Sequence, residues 1–160
     1  MSRAAMLALS IAALGACDGK PAEPSGIGKW RFGHTTLHDV ADGICQPTDL
    51  NDGRKGTWCF AQTPLKIAKS TAELDLYFLG TEKTAPLIEL QLRVRGCHEA
   101  DVEEWMRAAF GPPIESKSTR VYWKNAFLWA AAMLPSEPGR CVIHFLPLTE
   151  NAEIDRIKRL

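Results

Sequence analysis

The stretch Leu87-Ile88-Glu89-Leu90-Gln91-Leu92-Arg93-Val94 alternates apolar and polar side chains along its whole length. Successive side chains of a β-strand point to opposite faces of the sheet, so this period of two predicts a strand with one buried and one solvated face. Four apolar side chains are expected to point inward and three polar ones outward: Ile88, Leu90, Leu92 and Val94 against Glu89, Gln91 and Arg93. One wet face is typical of an antiparallel sheet.

Five further segments favour strands by apolar content, aromatic content or alternation: 57–61, 73–79, 120–124, 126–134 and 141–146. In 73–79 the inward side chains are expected to be Leu74, Leu76 and Phe78. The alanine-rich segment 126–134 is also compatible with a helix. Its position before Pro135 and a Pro138-Gly139 turn favours a strand.

Three helices are predicted around these strands. The first spans 36–44, with Thr36 as its N-cap and Pro47 preventing its continuation. The second spans 102–110, capped by Asp101 and ended by Gly111 and two prolines. The third is an amphipathic tail over 151–160. One helix and three strands therefore occur twice, which predicts an α+β fold with an antiparallel sheet covered by helices, built from two tandem αβββ units over 30–97 and 98–160.

The N-terminus has the features of an export signal. Arg3 precedes a short apolar run that ends in Leu14-Gly15-Ala16-Cys17, too short to span a bilayer. This tetrapeptide resembles the lipobox of bacterial lipoproteins, which implies cleavage before Cys17 and acylation of that cysteine. The predicted organisation is a signal peptide over 1–16, a lipidated cysteine with a flexible tether over 17–29, and a periplasmic domain over 30–160. The resemblance places the protein in the cell envelope, and both the outer and the inner membrane remain open.

Apart from Cys17, the chain has an even number of cysteines, and an even number in an oxidising compartment favours disulfides. Three pairings of the four are possible, and Cys45–Cys59 with Cys97–Cys141 is favoured. In the chain-entropy model each bridge would contribute about 3–4 kcal/mol. No Cys-x-x-Cys motif occurs, so neither a redox site nor a thiolate zinc site is predicted.

The ends of the first two predicted helices carry a family resemblance. Thr36, Val40, Ile44 and Pro47 fit the spacing Thr-x-x-x-Val-x-x-x-Leu-Gly-x-Pro, and Phe110-Gly111-Pro112-Pro113 repeats its closing part. The pattern resembles the SmpA/OmlA (BamE-like) family of small bacterial lipoproteins, and a tandem version resembles the architecture of the β-lactamase inhibitor protein. Cys45 replaces the glycine of the first copy. The resemblance implies a binding or scaffolding role, with no catalytic residues to carry over.

The sequence offers little for catalysis. It contains no nucleophile elbow, zinc-protease motif, phosphate loop or dinucleotide fingerprint. His34, His38 and Asp39 are close in sequence, but His34 precedes the predicted helix, so no metal site is expected. Equal numbers of basic and acidic residues argue against a nucleic-acid partner. The prediction is a protein without enzymatic activity, metal or cofactor.

Two groups of residues are candidates for binding a partner. Trp58, Tyr122 and Trp123 lie on predicted strands and could anchor an interface if they face outward. Arg54 and Lys55 lie in a polar loop that the Cys45–Cys59 bridge would close. The leading hypothesis is a lipid-anchored module that binds another envelope protein. The alternatives are an inhibitor or immunity-type protein that uses this loop, and an envelope hydrolase, which would require a pocket holding two polar side chains within hydrogen-bond reach.

Overall fold

The computed structural model describes residues 23–137 and 139–160. Eleven strands are present in this part of the chain: β1 Gly26–Ile27, β2 Trp30–Arg31, β3 Ile44–Asp49, β4 Lys55–Phe60, β5 Leu65–Ile67, β6 Ser70–Leu79, β7 Leu87–Arg95, β8 Glu115–Lys117, β9 Arg120–Lys124, β10 Leu128–Glu137 and β11 Arg140–Pro147. The helices are α1, Glu99–Phe110, and α2, Asn151–Arg159, with a single 3-10 turn at Leu37–Asp39.

One antiparallel sheet contains nine of the strands, in the order β3-β4-β6-β7-β11-β10-β9-β8, with β5 paired to β6. Its two halves are four-stranded meanders that meet where β7 pairs with β11. Helix α1 connects the halves, and its start lies close to the boundary that the sequence places between 97 and 98. β1 and β2 form a separate small hairpin.

The predicted fold class is wrong. Strands make up 47% and helices 18% of the described residues, so the fold is β-rich rather than an α+β sheet covered by helices. The largest error is the first helix: over 36–44 only the turn Leu37–Asp39 forms, and Ile44 already begins β3. The Asp39 carboxylate accepts from the Thr36 backbone N–H at 2.7 Å, which closes a local turn. Gly43, at φ +93°, then redirects the chain into the strand.

Pairing with β4 limits the helix that the spacing of apolar residues predicts over 36–44. From Ile44 to Asp49 every residue is paired with β4, so the chain is already part of the sheet at the last residue of the predicted helix. A helix of nine residues has little stability of its own in water. Pro47 lies inside β3, and β3 is the edge strand of the sheet, where a missing backbone donor is tolerated.

The other predicted elements are present with shifted ends. The alanine-rich segment is strand β10, as favoured, and the tail is helix α2. Helix α1 begins at Glu99, earlier than expected, with His98 rather than Asp101 at the N-cap. The Val102 N–H donates to the His98 carbonyl at 3.1 Å, which completes that additional turn.

The main core lies between one face of the sheet and α1. Leu76, Leu90, Leu92 and Phe145 are fully buried on that face. Met106 of α1 packs against them. The inward side chains predicted for 73–79 are buried, as are Leu90, Leu92 and Val94 of β7. Alternation therefore identified this face correctly except at Ile88, which was also expected to point inward but lies outside the main core and lines a cavity.

The opposite face is not uniformly wet. Ile154 and Ile157 of α2 pack against Tyr122, Ala131 and Leu146 and form a second, smaller core. Glu89, expected to face solvent, is only 9% exposed, whereas Arg93 four residues later is exposed. The expectation of a solvated face was therefore wrong at Glu89.

Both disulfides join the pairs that the sequence favours. Cys45 and Cys59 are directly opposite each other on β3 and β4, with their Cα atoms 4.0 Å apart. Cys97 and Cys141, 5.7 Å apart at Cα, join the segment before α1 to β11. The second bridge thus crosses between the two meanders.

The ordered domain begins before Trp30, where it was expected to start. Ile27 is buried in the main core, and the Asn125 side-chain amide donates to the Pro24 carbonyl at 2.8 Å. The second half of the expected tether, from Glu23, therefore lies against the domain. The signal peptide over 1–16 and Cys17 lie outside the described residues. No helix within 23–137 or 139–160 is long and apolar enough to cross a membrane.

Candidate functional site

A polar cavity of about 320 Å³ opens on the sheet face that carries α2. Its volume falls at the lower end of the range for small-ligand sites. Three parts of the chain supply the walls: the sheet, the β3–β4 loop, and α2 with the residue before it. The sheet contributes the polar side chains of Tyr77, Glu89 and His144. The loop contributes Asn51 and Arg54, and the helical segment contributes Glu150, Glu153 and Arg156.

The floor of the cavity contains a buried pair of titratable groups. His144 Nδ1 lies 2.7 Å from Glu89 Oε1, and the two side chains are 8% and 12% exposed. The pair forms because β7 and β11 are neighbours and His144 is in register with Gln91, two residues from Glu89. His144 Nε2 is buried and has no hydrogen-bond partner among the described residues. Both side chains of the pair line the cavity.

Tyr77 extends this floor along β6, where it is paired with Glu89. Burial, and then the carboxylates of Glu89 and Asp75, raise the pKa of the Tyr77 phenol. The phenol therefore keeps its proton and is a neutral hydrogen-bond donor. Its oxygen lies 3.5 Å from Gln91 Oε1, a long contact that a ligand could replace.

Ion pairs attach the β3–β4 loop to α2. Arg54 contacts both Asp52 and Glu150. Asn51 donates to Glu153 Oε1 at 2.9 Å across the same gap. The hydrogen bond with Glu150 raises the pKa of Arg54, and the Arg54 backbone N–H lowers the pKa of Asp52. The loop thus closes one side of the cavity in a defined conformation.

The cavity lining has an excess of negative charge. Five carboxylates line it against two guanidinium groups: Asp49, Asp52, Glu89, Glu150 and Glu153 against Arg54 and Arg156. Both guanidinium groups are already bound, Arg54 as above and Arg156 to Glu153 at 2.8 Å. Among the described residues Glu89 has no ion pair with either guanidinium group, although Arg156 interacts with it electrostatically over a longer distance. The chemistry that fits such a lining is a positively charged group.

The structure separates the residues that the sequence selected for binding. Trp123 is fully buried, its indole N–H donating to the Gly111 carbonyl at 3.1 Å, and Tyr122 is 4% exposed beneath α2. These two cannot anchor a partner, so that expectation was wrong. Trp58 is half-buried and stacks on Tyr77, with ring centroids 6.4 Å apart.

Of the two loop cations, only Arg54 belongs to the cavity. Lys55 is exposed and pairs with Asp49 at 2.5 Å. An inhibitory loop would need its cations free to enter an enzyme's cleft, but Arg54 is bound to the wall of its own domain. The inhibitor hypothesis therefore loses its main contact residue.

Of the residues that form the cavity, reasoning from sequence selected only Arg54 as a binding candidate. Glu89 was expected to face solvent, and His144 was not selected. The sequence signal for this pair was that two strand candidates each contain a titratable side chain. Such side chains can lie next to each other when the two strands pair in a sheet. His34 and His38 are exposed, and no group of three metal-ligating residues with suitable geometry occurs in the described ranges.

Comparison of the chain with protein-family models, curated proteins and solved structures gives no match. The resemblance to the SmpA/OmlA family therefore stays a prediction. Its first motif copy does not have the expected helical conformation, since only Leu37–Asp39 forms a turn there.

Proposed function

We propose that this chain is a lipid-anchored, non-catalytic binding protein of the bacterial cell envelope, and that its cavity receives a basic side chain of a partner protein. The observation that carries the proposal is the cavity of about 320 Å³ with the buried Glu89–His144 pair in its floor. Lysine and arginine side chains are long enough to place a charged end group in a pocket of that volume. The cavity would then recognise the partner.

The proposed cellular location rests on the sequence. The lipobox-like Leu14-Gly15-Ala16-Cys17 supports acylation of Cys17 and a domain that faces the periplasm. Two disulfides fit an oxidising compartment of that kind. Acyl chains at Cys17 would hold the protein at a membrane surface and leave the cavity free to bind.

Charge and desolvation support a cationic guest. A carboxylate enclosed in a cavity has lost part of its hydration, so a charge-assisted hydrogen bond to it is stronger than one at the surface. His144 holds the Glu89 carboxylate in place through the contact of its Nδ1 with Glu89 Oε1. We assign Glu89 as the contact for the cation and His144 as a positioning residue.

The test is a titration of the purified domain with short peptides. A lysine-rich peptide should bind, and Glu89→Gln should weaken its binding about tenfold because one charged hydrogen bond is lost. Calorimetry or chemical shifts of cavity residues would measure the affinity. The matched control is Glu103→Gln, because Glu103 lies on the solvent side of α1, outside the cavity, and is paired with Arg107. Equal binding of an acetylated-lysine peptide, or no effect of Glu89→Gln, would contradict the proposal.

One observation favours a second candidate, a hydrolase of envelope material. His144 and Glu89 lie within hydrogen-bond reach in a pocket, which is the arrangement that an imidazole general base needs. Against it, His144 Nε2 is closed off from solvent, and a general base must reach the proton that it removes. Binding is therefore the better-supported function.

An ester assay separates the two candidates. If His144 is a general base, hydrolysis of p-nitrophenyl esters should fall about a hundredfold or more in His144→Gln. If the cavity only binds, the rates of His144→Gln and the unmodified domain should agree. Glu103→Gln is again the control, because it introduces a glutamine outside the cavity.

A further inference from the structure

The hairpin between β9 and β10 lies beside the point where the chain leaves the domain toward its N-terminus. We propose that this hairpin and the end of α2 form a membrane-contacting corner, in which Phe127 enters the lipid interface and Lys124 and Lys158 contact anionic headgroups. The membrane corner is defined as Lys124, Phe127, Trp129 and Lys158. The inference rests on the proposed lipid anchor, and it concerns a surface distinct from the cavity.

Phe127 is presented to solvent by a tightly held turn. Its residue is 50% exposed, which is uncommon for an aromatic side chain of this size. The Asn125 side chain accepts from the backbone N–H groups of Phe127 and Leu128 at 2.8 and 2.9 Å. The turn therefore holds the ring outward with little freedom to fold back.

Two ammonium groups flank one aromatic ring beside this turn. Lys124 Nζ lies 4.8 Å and Lys158 Nζ 4.5 Å from the centre of the Trp129 ring. Neither lysine forms an ion pair with a carboxylate of the described residues. An exposed aromatic tip with adjacent unpaired cations matches the interface of an anionic bilayer, where apolar tips insert and lysines meet phosphates.

The route of the N-terminal chain argues for a membrane rather than a protein as the occupant. Glu23 and Pro24 are bound to the hairpin itself: the Ala126 N–H donates to the Glu23 carboxylate at 2.9 Å and Asn125 to the Pro24 carbonyl at 2.8 Å. Six residue steps separate Glu23 from Cys17, which span at most about 22 Å when fully extended. An acylated Cys17 would therefore keep the hairpin within that distance of the bilayer surface.

Two weak contacts of different kinds would then act together. A single lysine near an anionic surface contributes modestly, and one aromatic ring contributes little by itself. With the lipid anchor in place, binding of the corner is intramolecular, so its effective concentration at the membrane is high. The corner would orient the domain, whereas the acyl chains hold it.

The experiment supplies the anchor chemically, so it does not depend on acylation of Cys17 in cells. The other four cysteines are in disulfides, so the mature chain offers Cys17 as its one free thiol for coupling to a maleimide lipid. Vesicles with brominated lipid tails then report, by quenching, how close the tryptophans of the domain lie to the bilayer. Trp129 is half-buried at the corner. No variant changes a tryptophan, so differences in quenching between variants do not come from a lost fluorophore.

Anionic phosphatidylglycerol vesicles should quench the fluorescence more than zwitterionic phosphatidylcholine vesicles. Lys124→Glu/Lys158→Glu should remove most of that difference, because the lysines contact the anionic headgroups, whereas Phe127→Ser should lower the quenching in both vesicle types. In sedimentation of the unanchored domain the double variant should weaken binding about tenfold. The controls are Ile44→Ser, 56% exposed on β3, and Lys55→Glu on β4.

Equal quenching in both vesicle types, or equal loss in the control and corner variants, would overturn the membrane contact. These outcomes are independent of the peptide titration at Glu89, because the corner substitutions do not touch the cavity lining. Failure of one proposal therefore leaves the other open to its own test.

Discussion

Two buried carboxylates on adjacent strands of the same sheet face different surroundings. Asp75 is 2% exposed and lies 3.0 Å from Arg93 Nη2, whereas Glu89 has a histidine as its partner. A buried ion pair contributes little net stability because both charges lose hydration, but removing one partner leaves an uncompensated charge. At the scale of single residues, Asp75 is bound within the structure, and Glu89 is the carboxylate available to a ligand.

Asp75 gives a prediction for the pH dependence of stability. Burial raises the pKa of Asp75 above its usual 3.8, and the Arg93 guanidinium opposes that shift. The folded state therefore binds the proton more tightly than the unfolded state does. As pH rises through the raised pKa, the unfolding free energy of the unmodified protein should fall relative to that of Asp75→Asn.

Urea denaturation of both proteins between pH 3.5 and 7 measures this difference. Below the unfolded pKa the difference should be constant, since Asp75 is protonated in both states. Glu82→Gln, at an exposed site, is the control for loss of a carboxyl group. A difference that grew with pH in favour of the unmodified protein would show that Arg93 outweighs burial.

At the scale of secondary structure, α2 turns an open sheet face into a site. A nine-residue helix is unstable by itself, so it forms by docking Ile154 and Ile157 against the sheet. Arg54 and Asn51 of the β3–β4 loop then bind the carboxylates at its start. Without α2, Glu89 and His144 would lie on an exposed surface in contact with water.

Truncating Ile157 tests how far α2 depends on this docking. Ile157 is 1% exposed, so Ile157→Ala should lower the unfolding free energy by about 2–4 kcal/mol. Ile44→Ala, at an exposed isoleucine, should change it by less than about 0.5 kcal/mol. Thermal or urea unfolding provides both values. A loss equal to that of the control would mean that α2 contributes little to the fold.

At the scale of the whole molecule, the cavity lies at the junction between the two meanders. Glu89 is on the last strand of the first meander and His144 on the last strand of the second. The Cys97–Cys141 bridge joins the same two halves. Neither half contains the pair by itself, so the site exists only when β7 and β11 are paired.

The proposed anchor also belongs to the scale of the whole molecule, because it would decide where the domain works. Cys17→Ser should move the protein from the membrane fraction to the soluble fraction of cells that express it, since the acyl chains supply most of the binding. Fractionation followed by immunoblotting measures this. Continued retention in the membrane fraction would contradict acylation at Cys17, whereas the membrane corner by itself is expected to bind only weakly.

The fold was predictable where one local pattern dominated. Leu74, Leu76 and Phe78 alternate, and all three are buried as expected. The segment 36–44 was not predictable in this way, because Leu37, Val40 and Ile44 have helical spacing but the pairing of Ile44 with Phe60 depends on a distant strand. The candidate site was missed for the same reason: a lone glutamate and a lone histidine 55 residues apart have no local signature.

The sequence by itself predicted six of the eleven described strands, the buried side chains of 73–79, and a favoured cysteine pairing that the structure reproduces. The strands and these buried side chains follow from the apolar pattern along the chain, whereas counting the cysteines left three pairings possible. Only the tertiary structure decided that the sheet is continuous, that Trp123 and Tyr122 are buried, and that α2 encloses Glu89 and His144. The physical reason is that strand order and helix docking depend on contacts between distant residues, which alternation along the chain does not specify.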